Sequence, residues 1–133
     1  MSLPNKGKIL ALDLGTKRTG VSVSDKDQKV AFLRDELEHD STEELMSQLK
    51  TLLDGEEIVG ILAGLPLLLS GERSPQTEKV QKQIEEIEAA FNLPVQKIDE
   101  RFSTMEAFAP KMKVVDSRSA QILLENYFNT IQL

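Results

Sequence analysis

Hydrophobic positions in this chain form short continuous runs near the start and middle, with helical stripes between and after them. Residues 8–14 (Lys-Ile-Leu-Ala-Leu-Asp-Leu) read as a buried strand broken by one acid. Residues 15–20 form a turn, and Val21-Ser22-Val23-Ser24 alternates as a second strand. Asp25-Lys26-Asp27 supplies the turn into a third strand over 28–33, which completes an antiparallel meander. Ser41 and Glu44 have capping-box spacing. Leu45, Leu49 and Leu52 follow at i, i+4 and i+7, and Gly55 stops that helix. Residues 58–63 are too continuously apolar for a half-exposed strand and predict one covered on both faces. The loop over 64–71 carries Leu67-Leu68-Leu69, read as core or as an exposed partner or dimer patch, with the patch preferred. Ser74-Pro75 opens a second helix with Val80, Ile84, Ile87 and Phe91 on one stripe, ended at Asn92 and Pro94. Residues 95–98 make a short strand ending at Asp99-Glu100-Arg101, and 103–108 read as one or two helical turns. The last helix spans about Asp116 to Ile131, with Ala120, Leu123, Leu124, Tyr127 and Ile131 inward.

The order βββαβαβα, with no repeat and no linker, predicts one α/β domain over 1–133. Its expected form is a five-stranded mixed sheet with helices on both faces. Strand one is central, and the strand ending at Ile98 lies beyond the strand over 58–63.

The chain has 133 residues and a mass of 14.9 kDa, enough to bury a core without a metal or disulfide. It has no cysteine, so thiol catalysis and Cys-type zinc sites are excluded. His39 is its single histidine and is expected as a solvated loop residue. No apolar run approaches the roughly 20 residues of a membrane span, and the N-terminus carries no signal-peptide pattern. A cytoplasmic location and no membrane partner are the expectations. Net charge is −6. Nine acids between Arg34 and Glu57 face only Arg34 and Lys50, which leaves the rest of the chain near +1. That balance disfavours strong non-specific nucleic-acid binding.

Three acids stand where sites are built. Asp13 interrupts an apolar strand, where an unpaired carboxylate is costly to bury. It is either a turn cap or a ligand for a metal or phosphate at a central strand end. Asp99-Glu100-Arg101 falls where another strand ends, and Asp116 opens the last helix, where it could also serve as a plain N-cap. Together they supply the hard oxygen ligands that a divalent ion needs. Metal-dependent phosphodiester cleavage uses such a cluster to activate water and neutralise the leaving oxygen. A second class competes: Asp13-Leu14-Gly15-Thr16 with Gly20 also resembles the phosphate hairpin of actin-like ATPases and sugar kinases. Those proteins enclose ATP between two large lobes, which 133 residues cannot supply without self-pairing.

Four motifs resemble the YqgF/RuvX family in order and over nearly the whole chain. They are residues 12–25 (Leu-Asp-Leu-Gly-Thr-Lys-Arg-Thr-Gly-Val-Ser-Val-Ser-Asp), Gly64-Leu65-Pro66-Leu67 with Gly71 and Pro75-Gln76, Asp99-Glu100-Arg101-Phe102-Ser103-Thr104 with Glu106-Ala107, and Val115-Asp116-Ser117 with Ala120-Gln121-Ile122-Leu123-Leu124. The resemblance implies a ribonuclease-H-like fold and a metal-dependent nuclease, with family acids at Asp13, Glu100 and Asp116 and Mg²⁺ or Mn²⁺ as cofactor. Lys17, Arg18 and Arg101 would contact substrate phosphate. The implied role is processing the 5′ end of pre-16S rRNA in ribosome biogenesis, with Holliday junction resolution as the alternative. The chain departs from the family pattern at 105–114, where a longer basic segment is usual, at Leu68 and Leu69, and at Ser119-Ala120. With one Tyr, five Phe and no Trp, stacking platforms are few. RNA is expected over a four-way junction, which needs a two-fold dimer and a broad basic surface; the charge and the few aromatics imply weak, salt-sensitive binding to naked nucleic acid and better cleavage of a ribosomal precursor particle. The expected oligomeric state is monomer or weak homodimer.

Overall fold

The computed structural model describes residues 3–67, 70–99 and 116–131. In chain order these form β1 (Lys8–Asp13), β2 (Arg18–Ser24), β3 (Ala31–Glu38), α1 (Thr42–Gly55), β4 (Ile58–Leu65), α2 (Pro75–Ala90), β5 (Val95–Asp99) and α3 (Asp116–Ile131). The strands make one mixed sheet in the order β3-β2-β1-β4-β5, antiparallel on the β2 side and parallel through β1, β4 and β5. The expected central strand and the expected place of β5 are both found.

Alternation along the strands divides the core into two layers. Leu10, Leu12, Val21, Val23, Ile61 and Ala63 pack against α1 and α2 through Leu45, Leu49, Val80, Ile84 and Ile87. Ile9, Ala11 and Leu62 pack on the opposite face against Ala120, Leu123, Leu124, Tyr127 and Phe128 of α3. The inward stripe of α3 is wider than expected, since Ile122 and Phe128 are buried too.

Local signals set the helix starts. Ser41 Oγ accepts from Glu44 N–H at 3.1 Å, and Glu44 Oε1 accepts from Asp40 N–H at 2.6 Å. The return bond thus reaches one residue further back than in a strict capping box. Ser74 and Thr77 form a full box ahead of Pro75.

The meander needs correction in its boundaries. β2 begins three residues before the alternating run, and β3 lies at 31–38 instead of 28–33. Asp25 Oδ1 accepts from Lys29 N–H (2.7 Å) and Val30 N–H (2.8 Å), and Gln28 takes φ 57°, so 28–30 are spent on the turn. β3 is an edge strand that leaves Phe32 and Leu33 exposed and continues into charged residues, so no alternating pattern marks it. Residues 68–69 and 103–108 lie outside the described residues; Leu67 is half-buried. Among the described residues no helix is long and apolar enough to cross a membrane.

Candidate active site

The C-terminal ends of the parallel strands β1, β4 and β5 meet at one edge of the sheet, where open α/β sheets place their ligands. Asp13 is the last residue of β1 and is half-buried there. It shares a face with Ile9 and Ala11, the face that α3 covers. Its partner in β2 is Gly20. In β4, Gly64 follows the Leu12–Ala63 pair by one residue and lies on the same face as Leu62. Both strands beside β1 thus carry a glycine at or next to the level of Asp13.

The start of α3 is brought to the same place. Ser117 is 6% exposed, and its Oγ accepts from Val21 N–H at 3.2 Å, next to the Gly20 that pairs with Asp13. Residue 116 is thus set on the Asp13 face, at the Asp13 end. The Asp116 side chain, Glu100 and Arg101 lie outside the described residues. Among the described residues no three His, Asp or Glu side chains converge as a metal site.

Gly15 through Arg18 turn tightly after Asp13. Gln83 Nε2 of α2 donates to the Gly15 carbonyl at 3.1 Å and holds that turn against the helix. Lys17 and Arg18 are exposed. The Arg18 guanidinium lies a loose 3.9 Å from Glu36 and is 64% exposed, so it stays accessible from solvent. Both line a cleft of roughly 360 Å³ together with Glu38, His39, Asp40 and Glu44. Its lining holds three acids against two bases, so its charge does not favour an anion.

His39 corrects the expectation of a solvated loop residue. It is 4% exposed, its Nε2 lies 2.9 Å from Thr19 Oγ1, and its N–H donates to the Lys17 carbonyl at 2.9 Å. It clamps the segment that carries Lys17 and Arg18. Burial holds the imidazole below its ordinary pKa of 6.5, although Glu44 and Asp40 pull the other way. The unfolded chain therefore binds a proton that the native state resists, and stability rises with pH across this window. Stability from His39 is fully present above about pH 6.5 and declines as pH falls below it. Urea unfolding at pH 7.5 and 5.5 should show this decline in the wild type and a smaller one in His39→Asn; an equal decline would remove His39 as its source. Glu56 acts in a lower window. The hydrogen bond from Arg34 holds its carboxyl below 4.5, so its contribution is lost only under more acidic conditions.

A mixed sheet of this order, with helices on both faces, an acid ending its central strand and a last helix starting beside that acid, is a ribonuclease-H-like fold. Two solved structures share it. Thermus thermophilus RuvC in complex with a Holliday junction substrate aligns with TM-score 0.62 at 12% identity, over 93% of this chain and 95% of that one. The fowlpox virus Holliday junction resolvase aligns with TM-score 0.55 at 13% identity, over 95% and 99%. At these identities the likeness defines the fold alone.

The chain belongs to the RuvX family, whose model, described as "RuvX: Holliday junction resolvase", matches residues 7–130. A relative from Maridesulfovibrio salexigens is 33% identical over 130 residues, covering 90% of this chain and 96% of its own. One from Dictyoglomus thermophilum is 34% identical over 119 residues, covering 90% and 86%. Both carry the name "Putative pre-16S rRNA nuclease".

Proposed function

We propose that this chain is a divalent-metal-dependent nuclease that processes the 5′ end of pre-16S rRNA. The observation that carries the proposal is the Ser117–Val21 bond, which brings the start of α3 to the strand pair that ends at Asp13. Asp13, Glu100 and Asp116 would hold Mg²⁺ or Mn²⁺. Their carboxylates are the hard oxygen donors such ions take. When bound, the metal supplies Lewis-acid activation of water and neutralises charge on the leaving oxygen. This chain's own cations do the rest. Lys17, Arg18 and Arg101 contact the substrate phosphate and stabilise the charge that builds on it in the transition state. Gly15 and Gln83 hold the turn that carries the first two.

RNA is favoured over a four-way junction by charge. A net −6, and the three acids facing Lys17 and Arg18, do not make the broad basic surface that four duplex arms require. A junction cutter also needs two symmetric sites in a dimer. The expected behaviour is weak binding to naked nucleic acid, falling steeply with salt, and faster cleavage within a ribosomal precursor particle. Matched assays with Mn²⁺ on single-stranded RNA, precursor particles and synthetic junctions decide the matter. Paired symmetric nicking of the junction with RNA left whole would transfer the proposal to the resolvase class. ATP binding at the Gly15–Thr16 turn without cleavage of any of them would transfer it to the ATPase-like class.

A further inference from the structure

We propose that Ser117 is a positioning residue for Asp116. Its hydroxyl, seated in the ladder between β2 and β3, fixes the first turn of α3 against the strand pair that carries Asp13. The inference rests on the reading of Asp116 as a metal ligand.

β3 spends three residues where β2 spends two, because Thr19 pairs with Leu37 while Val21 pairs with Arg34. Such a bulge disrupts the ladder locally and leaves backbone groups in need of partners. The Ser117 hydroxyl fills the gap, accepting from Val21 N–H at 3.2 Å and donating to the Arg34 carbonyl at 2.6 Å. Only a short side chain that both donates and accepts can do this. Alanine does neither, an ionised aspartate only accepts, and serine or threonine suits both neighbours.

The bond also sets the helix in place. Ala120, Leu123 and Leu124 hold α3 on the sheet by apolar contacts, which resist separation better than they resist sliding. Directional ties to β3 oppose sliding. One turn beyond Ser117, Gln121 Nε2 donates to the Ala31 carbonyl at 3.2 Å, so the helix is tied at i and i+4 to two carbonyls of the same strand. The Ser117 tie is next in sequence to Asp116. A carboxylate ligand must be held to a fraction of an ångström, and groups that orient ligands typically contribute roughly 10–100-fold in metal affinity.

A second hydroxyl provides the control. Ser24, towards the other end of β2, accepts from Ile9 N–H at 2.7 Å and donates to the Asp25 carbonyl at 2.9 Å. It too is a buried serine that bridges two backbone groups, far along the strand from Asp13.

The experiment measures Mn²⁺ affinity without substrate, by titration calorimetry and by the EPR signal of free Mn²⁺, in the wild type, Ser117→Ala, Ser117→Thr, Ser24→Ala and Asp116→Asn. Hydrogen exchange of the Val21 amide and of the first turn of α3 is followed in the same proteins. Ser117→Ala should bind Mn²⁺ about tenfold more weakly and lose protection in that turn. Ser117→Thr should restore both, and Ser24→Ala should stay within about twofold of wild type while melting earlier. If Ser117→Ala does not fold, Ser117→Cys, a weaker donor of similar shape, is read the same way. Unchanged affinity and protection in Ser117→Ala, or an equal loss in Ser24→Ala, would overturn the proposal. If the wild type binds no Mn²⁺, or Asp116→Asn binds it as well as wild type, the metal reading of Asp116 fails. The exchange data then decide alone whether Ser117 fixes the start of α3.

Discussion

Asp13→Asn should lower nuclease turnover by about 10³-fold or more, the scale that loss of one preorganised electrostatic contact already reaches. The amide is nearly isosteric with the carboxylate, so the change acts through charge and not through packing. A neutral amide is a poor ligand for a hard divalent ion. In the metal-free protein the same substitution relieves repulsion among the proposed acids, so its melting temperature should equal or exceed that of the wild type. Adding Mn²⁺ should reverse that order. A site filled at 100 times its Kd stabilises the native state by about 2.7 kcal/mol, and the variant should gain little of this. Melting curves with and without Mn²⁺, beside single-turnover cleavage, check both parts. Cleavage undiminished in Asp13→Asn would remove this acid from the mechanism.

Gly15→Ala should have the next-largest effect, through geometry. A Cβ on Gly15 would lie 2.4 Å from the Arg18 carbonyl oxygen. That neighbour is backbone and cannot rotate away, so the whole turn must shift. Overpacking of this kind costs about 1–3 kcal/mol of stability. The larger effect falls on activity, because Lys17 and Arg18 ride on the displaced turn, and an error near 1 Å in such a group can cost about 10²-fold. Gly55→Ala is the matching control. Nothing lies within 4 Å of a Cβ there, and the residue ends α1, so stability should hold or rise by up to about 1 kcal/mol. Unfolding in urea and cleavage rates of the two variants should diverge. Wild-type activity in Gly15→Ala would show that the turn does not position the cations.

What the sequence makes legible is what neighbouring residues encode. The starts of α1 and α2 follow from Ser41 and Ser74, whose hydroxyls find amides three residues away. The bounds of α3 follow from a helical stripe, and β1 and β4 from unbroken apolar runs. Asp13 stands out because it breaks such a run. The missed features depend on partners far along the chain. β3 is an edge strand, paired on one side only, so burial imposes little pattern on it. His39 sits in an acidic, loop-like stretch, and only its Thr19 partner, 20 residues earlier, shows that it is buried. Ser117 reads as an ordinary residue of a helix start. Its role requires a bulge between strands 83 and 96 residues away, which no local pattern announces. Gly20 and Gly64 read as turn and loop residues, yet the register makes them the two flanks of Asp13.

Diffraction from crystals soaked in Mn²⁺ would show whether an acidic metal site lies at the end of β1. An anomalous peak within ligand distance of the Asp13, Glu100 and Asp116 carboxylates, lost in Asp13→Asn crystals grown alike, is the expected result. No peak at Asp13 at saturating Mn²⁺, or a peak that persists unchanged in Asp13→Asn, would rule out Asp13 as a metal ligand.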